Sequence, residues 1–337
     1  MSFASIARFE AALADLSQPD AAAHEAARVR QAQLTKPAGS LGRLENIAVF
    51  FAGWQGVERP AIDYGKVVVF AGNHGVTAQG VSAFPPSVTA QMVANFAAGG
   101  AAINALAAAA GLDFAVVPLA LDRPTADFTA APAMSEAECL AALSAGAEAV
   151  SAELDLLVVG EMGIGNTTAA AALAARSFGG AAADWVGPGT GLGSEGMSRK
   201  ARVIDRALAF HADAPHTAFE TLRRLGGREI AAIAGAVLRA RQLRVPVLLD
   251  GFITCAALAP LAVAAPDIIA HCLAGHCSAE PGHARLLDRL GLAPLLRLDM
   301  RLGEGSGAAV AAQIVRSALA AHAQMATFAE AGVASGG

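Results

Sequence analysis

Apolar positions recur at helical spacing in three early runs, Ile6–Leu16, Ala21–Leu34 and Leu41–Trp54, and each predicts an amphipathic helix. Between the last two lies Thr35-Lys-Pro-Ala-Gly-Ser-Leu-Gly42, a loop rich in helix breakers. From Lys66 the pattern changes to short apolar, β-branched runs alternating with alanine-rich stretches. The predicted strands are Val67–Phe70, Phe114–Val117, Leu154–Val159, Asp184–Val186, Val245–Leu249, Ile268–His271 and Leu295–Leu298. Most are apolar without alternation, as parallel strands covered on both faces require. Helices between such strands favour right-handed crossovers, so the expected fold is α/β with a mostly parallel, doubly wound sheet. The expected division is a small helical domain over 1–60, joined by the C-terminal helix at about 308–330, and a large α/β domain over 61–307 carrying the site.

Composition narrows the function. Hydrophobic residues make up 55% of the 337 positions and charged residues 16%, ample for a core and poor material for disorder. A net charge of −5, with no basic strip, argues against a nucleic-acid partner. The first ten residues contain Arg8 and Glu10 and no apolar signal core, and Cys139, Cys255, Cys272 and Cys277 lack a disulfide-framework spacing. A cytoplasmic protein is expected. The stretch 84–112 has no charge, but Pro85, Pro86, Gln91, Asn95, Gly99, Gly100 and Asn104 make it a poor membrane span. It is read instead as a buried loop and helix of a soluble protein.

The unusual polar clusters follow the predicted strands. They are Gly72-Asn-His-Gly75, Gly160-Glu-Met-Gly-Ile-Gly-Asn-Thr-Thr168, Gly187-Pro-Gly-Thr-Gly-Leu-Gly193, Asp250-Gly251, Gly275-His-Cys-Ser-Ala-Glu-Pro-Gly282 and Gly303-Glu-Gly-Ser-Gly307. Open parallel sheets bind ligands at the carboxyl ends of their strands, so these loops are expected to share one crevice. Gly163-Ile-Gly-Asn-Thr-Thr168 leads into a helix, with Asn166 or Thr167 as the expected cap; it suits either plain capping or a phosphate. It is neither a Walker A sequence nor a dinucleotide fingerprint. Lys200, beside Arg199 and Arg202, suits a phosphate as a point charge or a solvated helix face. Ser278 is expected at another helix N-terminus, and His74 either contacts a ligand or braces its loop.

The last cluster is the most suggestive. Glu304 is the one acidic residue of its turn, flanked by Gly303 and Gly305 and next but one to Leu302. A carboxylate at a helix start also favours the macrodipole. Held among small neighbours it is poorly hydrated, which raises its pKa and makes it a better base. Glu161 is a second carboxylate at a strand end. Paired acids suit an oxocarbenium-like centre, and Glu161 alone suits a ribose hydroxyl. His271-Cys272, His276-Cys277 and His283 raise a metal site, but their spacing fits no standard zinc pattern, and no metal or cofactor is expected.

Taken together, KPAGSLGRLE (36–45), AGNHGV (71–76), FPPSVTAQMVANF (84–96), GEMGIGNTT (160–168), LDGF (249–252), HCSAEPGH (276–283) and RLGEGSGAA (301–309) resemble the nicotinate-nucleotide–dimethylbenzimidazole phosphoribosyltransferase family of cobalamin biosynthesis. The resemblance implies a Rossmann-like sheet with a small helical domain, in a homodimer. It implies transfer of the 5-phosphoribosyl group of nicotinate mononucleotide to 5,6-dimethylbenzimidazole, giving α-ribazole 5′-phosphate and nicotinate with inversion at C1′. It places the catalytic base on Glu304, and Glu161 beside it either as a second catalytic carboxylate or among the phosphate and ribose contacts. The base pocket falls on Phe84, Gln91, Met92, Met162 and Leu302. Phosphate and ribose contacts fall on Gly163, Gly165, Asn166, Thr167, Lys200, Ser278 and Gly303. Some members carry serine where Phe84 stands.

Two other readings remain open at this stage. A non-catalytic nucleotide or corrinoid-precursor binder on the same sheet has no use for a dehydrated Glu304. A metallohydrolase built on His271, Cys272, His276 and Cys277 needs a stoichiometric metal.

Overall fold

In the computed structural model, residues 2–189 and 191–334 are described. Three helices come first: α1 (Ile6–Ala14), α2 (Ala21–Gln33) and α3 (Arg43–Gln55). Then follow β1 (Gly65–Ala71), α4 (Ser87–Ala97), α5 (Ala102–Ala109), β2 (Asp113–Pro118), α6 (Glu136–Glu148), β3 (Leu156–Met162) and α7 (Asn166–Phe178). Next are α8 (Ser194–Phe210), α9 (Ala218–Leu225), α10 (Arg228–Leu243), β4 (Val247–Leu249) and α11 (Phe252–Ala264). The chain ends through β5 (Cys272–His276), α12 (Pro281–Leu290), β6 (Pro294–Leu296), α13 (Ser306–Gln324) and α14 (Phe328–Ala331).

The strands form one sheet in the order β2-β1-β3-β4-β5-β6, and every pairing is parallel. Side chains alternate between faces, and both faces are covered. Val68, Phe70, Leu157, Val159 and Leu249 enter a core with α6, α7, α10 and α11. Val67, Val69, Leu156, Val158 and Leu248 enter a second core with α3, α5 and α13. That double burial is why the strands read as unbroken apolar runs. The winding reverses after β2, leaving a switch point between the carboxyl ends of β1 and β3, the place where such sheets take ligands.

The N-terminal helices divide between the two cores. Phe9 and Leu13 of α1 join the first, while Ile47 and Phe51 of α3 join the second. Asp20 caps α2 by accepting from the Ala23 amide at 2.8 Å, as its short side chain favours. Arg30 of α2 donates to the carbonyls of His322, Ala323 and Met325, and so ties α2 to the end of α13. A guanidinium at a helix C-terminus also meets the negative end of its dipole.

Three expectations change. Asp184–Val186 is not a strand: Ala182–Asp184 form a 3-10 turn, and Trp185 is buried with its indole N–H on the Gly179 carbonyl at 2.9 Å. Ile268–His271 is not a strand either. Pro266 opens a 3-10 turn over Pro266–Ile269, and the extended segment begins at Cys272. The apolar stretch 84–112 is two helices, not a buried loop and helix. Gly99, at φ +76°, and Gly100 break it, and of the most apolar 18-residue window in Ser87–Ala109 only 22% is buried. Alanine, glutamine and asparagine on its outer side make that exposure inexpensive. Of the expected Gly187–Gly193 loop, Thr190 lies outside the described residues, as do Ser335–Gly337 of the expected tail.

Candidate active site

Loops from the carboxyl ends of four adjacent strands meet around an open cleft. The β3–α7 loop supplies Glu161, Met162, Gly163, Asn166 and Thr167, and β4–α11 supplies Gly251 and Phe252. His276, Ser278 and Glu280 come from β5–α12, and Arg301, Leu302 and Gly303 from β6–α13. Gly189 joins them from the loop before α8. A smaller cavity behind the start of α7 is lined by Gly165, Asn166, Thr167 and Lys200. The convergence expected from the glycine-marked loops is therefore present, except that Gly72–Gly75 stands behind the cleft. His74 there is fully buried, and its Nε2 lies 2.5 Å from Glu229 Oε1 of α10. It braces its loop.

The start of α7 is built differently from the expectation. Its N-cap is Gly165, at φ +96°, with no side-chain cap. Asn166 is already helical, so its amide is released to donate to Glu161 Oε2. Thr167 Oγ1 accepts from Lys200 Nζ at 3.0 Å. An uncapped helix N-terminus with a lysine beside it suits an anion. Lys200 is no solvated side chain: it is 1% exposed and also donates to the Gly187 carbonyl at 3.2 Å. Burial lowers its pKa to about 8, against the opposing charge of Glu280. Glu280 in turn accepts from the Gly189 amide at 2.9 Å, anchoring that loop over the cleft.

Ser278 does not begin a helix, since α12 starts at Pro281 with Glu280 as its N-cap. The Ser278 amide donates to His283 Nδ1 at 2.9 Å. That nitrogen is therefore unprotonated, and burial holds His283 down to about 3. The imidazole acts as a neutral brace. His271 is occupied elsewhere, its Nε2 at 3.1 Å from the Val237 carbonyl. Among the described residues, no group of three or more His, Cys, Asp or Glu side chains is placed to hold a metal ion.

Two carboxyl groups dominate the electrostatics. Glu161, the last but one residue of β3, is 6% exposed. Burial first, then the charges of Asp250 and Glu229, raise its pKa to about 8. Glu304 sits in the turn before α13 at φ +66°, a left-handed conformation uncommon outside glycine. Its carboxyl is buried, and among the described residues Oε2 has no hydrogen-bond partner. Burial raises its pKa, the Asp250 charge adds to this, and the Ile103 amide at the start of α5 opposes it. Glu304 is thus the desolvated carboxylate expected from its glycine-flanked position, turned toward α5 rather than into the open cleft. Gly160 lets the turn approach β3, because a Cβ there would lie 2.4 Å from the Glu304 carbonyl oxygen.

The expected base-pocket residues fall in two groups. Met162 and Leu302 line the cleft; Leu302 is 56% exposed. Phe84, Gln91 and Met92 do not line it. Phe84 and Gln91 are exposed, and Met92 packs half-buried against the second core. Helix α4 is nonetheless fastened beside the site, where Thr89 Oγ1 accepts from the Ile164 amide at 3.1 Å.

Asp250, Glu280 and Glu229 were not singled out for roles from sequence, and His276 was weighed there only as a metal ligand. Asp250, His276 and Glu280 lie inside glycine-marked clusters, which is the signal that points to them. Glu229 lies in an ordinary helical stretch of α10 and carries no local mark.

Comparison with known proteins identifies the family. The model of the DBI_PRT family, described as phosphoribosyltransferase, matches residues 16–333. A nicotinate-nucleotide–dimethylbenzimidazole phosphoribosyltransferase of Novosphingobium aromaticivorans is 71% identical over 99% of both chains. The protein of that name from Cereibacter sphaeroides is 58% identical over the same share. The crystal structure of the Thermus thermophilus enzyme of this name is 42% identical, covers 94% of this chain and all of its own, and superposes with a TM-score of 0.87. With the sheet order, the strand-end cleft and these relatives in agreement, this chain belongs to the nicotinate-nucleotide–dimethylbenzimidazole phosphoribosyltransferase family.

Proposed function

We propose that this chain transfers the 5-phosphoribosyl group of nicotinate mononucleotide to 5,6-dimethylbenzimidazole, forming α-ribazole 5′-phosphate and nicotinate for the lower ligand of cobalamin. The observation that carries the reading is the buried Glu304 carboxyl, with one oxygen unpartnered among the described residues, on the turn that borders the cleft, with Lys200 and the uncapped start of α7 at the adjoining smaller cavity.

Neutral benzimidazole has one nucleophilic ring nitrogen and one N–H. The lone pair attacks C1′ as the N–H proton passes to Glu304, whose carboxyl swings from α5 toward the ring when both substrates are bound, so the product carries no positive charge. The bond from C1′ to the pyridinium nitrogen breaks, and its electron pair neutralises the departing ring, which needs no general acid. Attack opposite the leaving group inverts C1′ from β to α. The cationic nucleotide and the oxocarbenium-like centre both gain from nearby carboxylates, Asp250 and, until it takes the proton, Glu304. Lys200 and the α7 amides suit the 5′-phosphate. Most of the rate enhancement then comes from holding two rings in line, and no step requires a metal or a cofactor.

Met162 and Leu302 offer an apolar wall for the incoming ring, and Phe84, Gln91 and Met92 complete it if α4 closes over the cleft. We infer further that the protein works as a homodimer in the cytoplasm. The little-buried outer faces of α4 and α5 and four free, buried cysteines support this. The test of the reaction is incubation with nicotinate mononucleotide and 5,6-dimethylbenzimidazole. Release of nicotinate with an α-configured nucleotide, assigned by NMR, is expected; a β-configured product or no nicotinate overturns the reading.

A further inference from the structure

We propose that Asp250 is the positioning residue of the Glu304 turn, holding it in place from the neighbouring strand through two backbone amides. The inference rests on the role of Glu304 as base given above.

Helix α13 has no cap of its own, because its N-cap is Gly305, at φ +88°, which has no side chain. The first-turn amides of a helix lack intrahelical partners. Here the carboxylate of Asp250, 1% exposed just beyond β4, supplies two of those partners. Its Oδ2 accepts from the Gly305 amide at 3.2 Å and its Oδ1 from the Ala308 amide at 2.9 Å. One side chain from another element thus spans the residue after Glu304 and the first turn that follows it. Bonds from amides to a carboxylate are stronger than those to a neutral acceptor.

The turn is also confined by its neighbours. On the β3 side, a Cβ at Gly160 would meet the Glu304 backbone. On the β5 side, one at Gly275 would lie 2.7 Å from Ala308 Cα, and one at Gly307 would lie 2.1 Å from His276 Cδ2. His276 Nε2 stands 3.5 Å from Asp250 Oδ1, backing the carboxylate from β5. Glu304 keeps a backbone conformation that non-glycine residues rarely adopt, and Asp250 is the group bonded on its C-terminal side. The Asp250 charge also adds to the burial that raises the proton affinity of Glu304. The other ionisable groups around the turn are Glu161 of β3, His276 of β5, Glu229 of α10 with its partner His74, and Arg301 in the turn itself.

The geometry demands a carboxylate. Asparagine at 250 has the same shape but one acceptor, and its NH₂ group would face a backbone N–H. In Asp250→Asn we expect kcat to fall at least about 30-fold while the KM for nicotinate mononucleotide stays within about threefold. The acidic limb of the kcat profile should move to lower pH, because a negative charge beside Glu304 has gone. A purely structural role would lower the amount of folded enzyme without moving that limb. Unchanged kcat, or a reduced kcat with the limb unmoved, overturns the proposal. If the variant does not fold, amide hydrogen exchange in the wild-type protein decides. Slow exchange at both Gly305 and Ala308 supports the hold, and exchange at the rate of an unbonded amide overturns it. Wild-type turnover is measured in parallel. A wild type that forms no α-ribazole 5′-phosphate contradicts the assigned reaction, while the exchange result still reports on Asp250.

Discussion

His74 Nε2 lies 2.5 Å from Glu229 Oε1 with both side chains fully buried. The pair stands directly behind the β3–α7 loop: a Cβ at Gly163 would lie 3.1 Å from Glu229 Oε1, and one at Gly227 would lie 2.2 Å from His74 Cε1. Removing one member of such a pair leaves the other buried and unmatched, at a cost of about 3–5 kcal/mol. Urea denaturation of His74→Ala is expected to show a loss in that range. Replacing both residues by apolar ones of similar size should lose less, and a single variant as stable as the wild type contradicts the bracing role.

Glu161 gives stability a pH dependence of defined sign. Its carboxyl is raised by burial to about 8 in the folded chain, whereas the unfolded value is near 4.3. Between these values the folded state binds the extra proton, so stability declines as pH rises. Thermal melts of the ligand-free protein should fall from pH 5 to pH 8, and Glu161→Gln should flatten part of that slope and melt higher than the wild type at pH 8. An identical slope in the variant contradicts the protonated state of Glu161.

Lys200 separates binding from chemistry. It is buried against Thr167 and the Gly187 carbonyl, so arginine has no room to replace it. Lys200→Ala and Lys200→Arg should both raise the KM for nicotinate mononucleotide by at least about tenfold, since a buried charge-assisted bond contributes roughly 1.5–3 kcal/mol. With burial holding its pKa at about 8, affinity for the nucleotide should weaken as pH rises above 8. Titration calorimetry measures this; affinity independent of pH from 7 to 9.5 contradicts it.

Gly160 tests whether the turn depends on its close approach to β3. A methyl group there would meet Glu304 backbone at 2.4 Å, and overpacking costs about 1–3 kcal/mol. Gly160→Ala should lose activity out of proportion to its loss of stability, because a misplacement of about 1 Å can cost 100-fold in rate. Activity that falls only with the folded fraction contradicts this.

The parts legible in the sequence are those where one physical cause leaves one local mark. Apolar runs such as Val67–Phe70 mark strands covered on both faces, and the glycines around Glu161 and Glu304 mark backbone brought close to other backbone. The Asp184–Val186 run misled because Trp185 is buried by packing in a turn rather than by pairing in a sheet. At Ile268–His271, a β-branched run follows Pro266, which starts a 3-10 turn instead. Asp250 stood in a visible cluster, but its task is fixed by Gly305 and Ala308, more than fifty residues away. Glu229 belongs to the same class, since only the folded chain brings it to His74. Exposure of the 84–112 stretch was also hidden, because alanine serves equally in cores and on surfaces.

The most direct test is a comparison of Glu304→Gln with the wild type, measuring both turnover with nicotinate mononucleotide and the dissociation constant for 5,6-dimethylbenzimidazole. Loss of a general base should lower kcat by about 10²–10⁴-fold while leaving the dissociation constant within about threefold. A variant that turns over as fast as the wild type contradicts the role of Glu304 as the base.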